Sequence, residues 1–160
     1  MPIDKLLEQP LTHSVIGAFF EVYNTLGFGF VEAVYVRAME QELRARGHGI
    51  ERERRVPVWY KGTKLSDQRL DMLVDGRVVV EAKATYELHL GASQQLYNYL
   101  RATRLEVGLL LHFGPAAKFH RIVCFRASAG PELRRLSTES GSSGRSKAVP
   151  DVADPPDPDC

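Results

Sequence analysis

The stretch Asp71-Met72-Leu73-Val74-Asp75-Gly76-Arg77-Val78-Val79-Val80-Glu81-Ala82-Lys83 decides how this chain folds. It reads as two short apolar strands around an Asp75-Gly76 turn. Runs of Val and Leu this continuous belong to strands covered on both faces, yet Asp71, Glu81 and Lys83 place charge in them. A lone carboxylate there is costly unless it is paired or binds a cation.

Spacing decides whether the charges meet. Side chains alternate faces along a strand, so Asp71 shares a face with Glu81 and Lys83 only across a loop with an odd number of residues. A three-residue loop Val74-Asp75-Gly76 pairs Asp71 with Val79 and leaves Glu81 diagonally beside it. A two-residue turn at Asp75-Gly76 pairs Asp71 with Val80 and sends Glu81 to the other face. Asp-Gly suits both turns; the odd loop is adopted because the alternative scatters buried charge over two apolar faces. Lys83 then lies on the same face, roughly 7 Å along the strand from Glu81. Two carboxylates and an ammonium so placed suit divalent-metal hydrolysis of a phosphodiester. The bland reading is a structural ion-pair network, for example Lys83 with Asp71.

Outward from this hairpin, residues 11–26 have helical periodicity, with Val15, Phe19, Val22 and Leu26 on one side and Gly27 as the stop. Residues 30–46 form a second helix with Val31, Val34, Tyr35, Ala38, Met39 and Leu43 inward. Residues 50–60 read as a strand with Val56, Val58 and Tyr60 on one face, followed by strands over 64–74 and 77–84. A helix over 88–103, with Leu88, Leu96, Tyr99 and Leu100 at helical spacing, precedes strands over 106–113 and 119–125. The order is αα-βββ-α-ββ, an α/β fold in which the last helix is a crossover in a mixed sheet. Residues 1–126 form the domain, and the Gly/Ser/Pro/Asp-rich stretch 127–160 is expected to be a disordered tail.

The 160 residues suffice for one domain with a sizeable core. Residues 1–126 hold 17 Lys/Arg against 14 Asp/Glu, a net +3 that permits a nucleic-acid partner without demanding one. Arg52, Arg54 and Arg55 are the densest basic cluster and read equally as a solvated strand edge. The two cysteines, Cys124 and Cys160, have no spacing suited to zinc or an iron–sulfur cluster. There is no signal sequence, membrane span, Gly-rich phosphate loop or serine-nucleophile motif, so a cytoplasmic protein without membrane contact is expected. Of the histidines, His112 reads as a satisfied core residue and His13 as a candidate for the cleft.

Asp71 followed by Glu81-Ala82-Lys83 at the end of the next apolar strand resembles the PD-(D/E)XK nuclease superfamily. More narrowly, Gly29-Phe30-Val31-Glu32-Ala33-Val34-Tyr35 resembles the signature of its GxxExxY family. Val58-Trp59-Tyr60-Lys61-Gly62, Arg69-Leu70-Asp71 and Gln95-Leu96-Tyr97-Asn98-Tyr99-Leu100 are similar too. So are Leu109 to Gly114 and Phe119-His120-Arg121-Ile122-Val123. The resemblance covers about residues 10–126.

It implies a restriction-endonuclease-like mixed sheet flanked by helices. Asp71 and Glu81 would be magnesium ligands, with manganese able to substitute, and Glu32 and the Ala82 carbonyl would be further ligands. Lys83 would assist the attacking water; it is not assigned as a base, because surrounding anions favour the ammonium. Gln95 and Tyr99 resemble a Gln/Tyr helix motif that supports the site or touches substrate. Where the family often has His-Glu-Ala before that glutamine, this chain has Ala92-Ser93-Gln94. The implied activity is a nuclease acting on DNA, with RNA also compatible and the oligomeric state open. The alternative is a nuclease-fold module that binds nucleic acid or a protein partner with little or no catalysis.

Overall fold

Val78-Val79-Val80 and Leu109-Leu110-Leu111 offer apolar groups to both faces, so their strands need cover on both sides. Helices supply it. The structure, a computed structural model, describes residues 8–125. In chain order these form α1 (Gln9–Leu26), α2 (Glu32–Ala45), β1 (Ile50–Arg52), β2 (Arg55–Tyr60), β3 (Thr63–Arg69), β4 (Met72–Val74), β5 (Val78–Lys83), α3 (Gly91–Thr103), β6 (Val107–Phe113) and β7 (Ala117–Val123). The tail expected over 127–160 lies outside the described residues. Among the described residues, no helix is long and apolar enough to cross a membrane.

Five strands form one sheet in the order β1-β4-β5-β6-β7, and β2 and β3 form a separate two-stranded hairpin. β5 and β6 run parallel, and the other neighbours are antiparallel. The crossover that a parallel pair requires is α3. This is the expected class, a mixed sheet flanked by helices.

Alternation along β5 sorts its side chains between two cores. Val78, Val80 and Ala82 pack with Met72, Leu109 and Phe113 beneath Phe19, Tyr35 and Met39 of α1 and α2. Val79 packs with Leu73 and Leu110 beneath Leu96, Tyr99 and Leu100 of α3. Each large side chain so buried contributes about 1.5–3 kcal/mol. Glu81 and Lys83 continue the alternation on the α3 side, where charge replaces the hydrocarbon.

The three strands expected between the second and third helices are five. The strand expected over 50–60 breaks after Arg52, and that over 64–74 breaks after Arg69. One register nevertheless runs through both pieces, with Arg52 opposite Met72 and Arg55 opposite Arg69. They are one antiparallel ribbon kinked at Glu53, whose φ of 54° is left-handed. Leu70 N–H donates to the Arg54 carbonyl at 3.0 Å and carries the ladder across the kink. Beyond it the ribbon leaves the sheet, so Val56 is buried while Val58 and Tyr60, expected on the same inward face, are exposed.

The helices follow their patterns with one rotation. α1 buries Val15, Phe19 and Val22 and stops at Gly27 (φ 69°), whose N–H donates to the Tyr23 carbonyl at 2.8 Å. α2 buries Tyr35, Met39 and Leu43 as expected, but Val36 replaces Val31 and Val34, which stay exposed. The helix begins at Glu32 and Val31 caps it, so Val31 never joins the helical face.

A clasp ties the β4–β5 turn to the helices. Asp75 Oδ1 accepts from Gly49 N–H at 2.7 Å, Asp75 Oδ2 lies 2.7 Å from His48 Nδ1, and His48 Nε2 lies 2.7 Å from Ser14 Oγ. The bond to His48 is the main cause holding the Asp75 carboxyl below the usual carboxylate range. Carboxylate, imidazole and hydroxyl stand in the order of a hydrolase triad. Ser14, however, sits inside α1, where the surrounding amides are spent on helical bonds and none is left to receive an oxyanion. The trio fastens the turn.

Close packing of α3 on the sheet depends on Gly108, since a Cβ there would lie 2.9 Å from Leu96 Cδ1. Gly108→Val should therefore lower stability by about 1–3 kcal/mol in urea unfolding. An unchanged midpoint would show that α3 does not seat against β6 in this way.

Candidate functional site

Two left-handed residues, Asp75 (φ 50°) and Gly76 (φ 66°), make the β4–β5 turn, closed by Arg77 N–H donating to the Val74 carbonyl at 3.0 Å. Asp-Gly is suited to that backbone. Val74 pairs with Val78, so Arg77 is an extra residue. The loop is odd, as expected, but its members are Asp75, Gly76 and Arg77 rather than Val74, Asp75 and Gly76. Met72 consequently faces Val80, and Asp71, one residue further along, falls opposite Glu81 instead of Val79.

Each carboxylate accepts a hydrogen bond from a backbone amide. Asp71 N–H donates to Glu81 Oε1 at 3.1 Å, and Ala82 N–H donates to Asp71 Oδ2 at 2.8 Å. The ribbon kink makes this possible, because Asp71 lies just outside β4 and its N–H is released from the ladder. Glu81 is only 4% exposed. Burial first, and then the negative charge of Asp71, push its carboxyl up to about 8, with Lys83 opposing. The Ala82 methyl points into the α1–α2 core, so this residue reaches the site through its backbone alone.

Glu32 comes from the other helical layer. It opens α2, and its carboxylate accepts a hydrogen bond from Ala84 N–H, just past the end of β5. Burial raises its pKa and the Asp71 charge adds to this, while Lys83 and the Ala84 bond pull the other way. Gly29 and Tyr35 aim it. Gly29 has a φ of 117°, strained for any other residue. Tyr35 Oη donates to the Gly27 carbonyl at 2.6 Å and accepts from Phe30 N–H at 3.2 Å, while its ring stacks on Phe113 at 4.3 Å. Gly29, Glu32 and Tyr35 thus each have a physical task.

Lys83 is half-buried and acts on both Glu32 and Glu81 through its charge. The structural pairing of Lys83 with Asp71 is not among the ion pairs of the described residues. On α3, Gln95 Nε2 donates to Tyr99 Oη at 3.1 Å. Burial, then the charges of Glu81 and Asp71, raise the Tyr99 phenol, which places it within electrostatic range of the pair. His112 is a satisfied core residue, with Nε2 2.8 Å from the Thr85 carbonyl. His13 is exposed on α1. Ala84, which holds Glu32 by its amide, had no signal in sequence, because any residue type supplies that donor.

Among the described residues, no three His, Cys, Asp or Glu side chains come close enough together to enclose a cation. Magnesium needs no such cage, since it keeps several waters and binds through one or two carboxylates. Two facing carboxylates, one of them driven toward its neutral form by burial and by the other's charge, suit such a hard cation. The donor set fits.

A family model described as the PD-(D/E)XK nuclease superfamily matches residues 9–122. No curated protein matches the chain in sequence. A solved structure described as "Crystal structure of SSO0001" is similar at 19% identity and a TM-score of 0.49. The match covers 66% of this chain and 55% of that one, so the chain spans little more than half its length.

The Glu81 shift has a defined pH signature. Its folded pKa lies above its ordinary value of 4.5, so the native state keeps a proton that the unfolded chain releases. Stability of the metal-free protein should fall as pH rises from about 4.5 to about 8. Glu81→Gln removes that loss, so in EDTA its melting temperature should exceed the wild type's at pH 9 and approach it at pH 5. Parallel melting curves across that range would contradict the burial described.

Proposed function

The chain belongs to the PD-(D/E)XK nuclease superfamily, and from that premise we propose that it hydrolyses phosphodiester bonds of DNA with magnesium or manganese as cofactor. The observation that carries this reading is the opposition of Asp71 and Glu81 on one face of the sheet, with Asp71 N–H donating to Glu81 and Ala82 N–H donating to Asp71. The two carboxylates, with the Ala82 carbonyl as a further donor, would hold the cation, and Glu32 would reach it through one of its retained waters; the cation would supply a water of lowered pKa and polarise a phosphoryl oxygen.

The chain's own groups do the rest. Lys83, an ammonium among anions, holds a phosphate oxygen and offsets the charge that gathers as the bond breaks. Tyr99, kept neutral by burial and by the nearby carboxylates, is available as a donor at the edge of the site. Gln95 is exposed beside it and orients that hydroxyl toward substrate. Within the superfamily, Gly29, Glu32 and Tyr35 support a reading of the chain as a member of the GxxExxY branch.

A second reading is a nuclease-fold module that binds nucleic acid or a protein without cutting. The absence of a three-carboxylate cage among the described residues favours it, as does Ala92-Ser93-Gln94 ahead of Gln95. Calorimetric titration with manganese separates the two: heat lost in Glu81→Ala supports the enzyme, and no heat at millimolar metal supports the module.

With manganese present, Asp71→Ala, Glu81→Ala and Lys83→Ala should each slow cleavage of duplex DNA by roughly 10²–10³-fold, the size of losing one electrostatic group at a reacting centre. Cleavage at the wild-type rate by the folded variants would end the proposal.

A further inference from the structure

The β2–β3 hairpin is a poor structural investment unless something binds it. It leaves the sheet at the Glu53 kink, and of its residues between Arg55 and Arg69 only Val56 is fully buried. Between Glu53 and Arg69 it carries five cations, Arg54, Arg55, Lys61, Lys64 and Arg69, against Glu53 and Asp67. The rest of residues 1–126 balances at 12 basic against 12 acidic groups. The whole net +3 of that region therefore resides on one projecting arm.

The arrangement within the arm works against its own stability. Arg55 and Arg69 are directly opposite each other in the ladder, where like charges are destabilising. Among the described residues, Asp67 is the one carboxylate paired with Arg55, at 3.7 Å, and it is shared with Lys64 at 2.8 Å. Among the described residues, Arg69 enters no ion pair. A polyanion lying along the arm would relieve this repulsion.

The root of the arm lies at the candidate site. The Asp71 carbonyl accepts from Arg52 Nε at 3.2 Å and from Glu53 N–H at 3.4 Å, while the Asp71 side chain bonds the Ala82 amide. A strand seated at Asp71 and Glu81 therefore passes the base of the hairpin. The six residues of β2 reach about 20 Å, the length of about six base pairs.

We propose that the β2–β3 arm is the substrate grip: it lies along the phosphate backbone of the nucleic acid and holds it, without reading sequence, as the chain enters the site at Asp71. The proposal rests on the nuclease reading for its substrate class, but it concerns binding, which needs neither metal nor cleavage.

The test is fluorescence anisotropy with a labelled 20-base-pair DNA duplex, in EDTA, from about 50 to 200 mM KCl. The full chain is compared with the fourfold variant Arg55→Gln, Lys61→Gln, Lys64→Gln, Arg69→Gln. A fourfold variant off the arm, Arg37→Gln, Arg44→Gln, Arg77→Gln, Lys118→Gln, controls for net charge. The arm variant should bind at least about tenfold more weakly at the low-salt end and show a salt slope shallower by about two to four, since each phosphate contact contributes about 0.9. It should also melt close to wild type, because relief of the Arg55–Arg69 repulsion offsets the loss of the exposed pairs to Asp67. Equal losses in both variants, or an arm variant that binds like wild type, would overturn the grip. Manganese-dependent cleavage measured alongside keeps the two readings apart. Wild-type cleavage with an unaffected arm variant sinks the grip alone, arm-dependent binding without cleavage sinks the nuclease alone, and neither binding nor cleavage by wild type sinks both.

Discussion

Two carboxylates that face each other across an antiparallel pair repel, and burial makes the repulsion worse. In this chain the cost is met by backbone amides. Asp71 N–H serves Glu81, Ala82 N–H serves Asp71, and Ala84 N–H serves Glu32. These donors belong to strand ends, so the sheet has to be interrupted where the acids sit. That requirement accounts for the kink at Glu53 and for β4 beginning only at Met72.

The remaining architecture serves this junction. α2 covers one face of the sheet and delivers Glu32 to the end of β5, at the Ala84 amide. The loop before it is pinned by Tyr35, itself locked against Phe113 in the core. The opposite end of β4 and β5 is fastened by Asp75, His48 and Ser14, which fixes the turn and with it the register. A register slip of one residue would send Glu81 to the α1–α2 core, among hydrocarbon.

Helix positions and their buried faces were legible because a 3.6-residue period survives in Val15, Phe19, Val22 and in Tyr35, Met39, Leu43. The odd loop was legible from electrostatics: only an odd count keeps Asp71 and Glu81 on one face. Which three residues form it was not, because the Asp-Gly turn is compatible with several loop lengths and Arg77 gives no sign of being the extra residue. The breaks in the two long strands were invisible too. Alternation continues through a kink whose only marker is the left-handed φ of Glu53, a residue type that rarely announces one. Val31 and Val34 misled because apolar residues at a helix start need not face inward. The His48 clasp joins three distant segments, and nothing local encodes it.

The central claim is that Asp71 and Glu81 meet on one side of the sheet and together present a cation site. Anomalous X-ray scattering from a manganese-soaked crystal measures this most directly. The geometry requires a manganese peak shared by the Asp71 and Glu81 carboxylates, on the side of the sheet covered by α3. Manganese bound elsewhere, with those two carboxylates on opposite sides of the sheet, would contradict it.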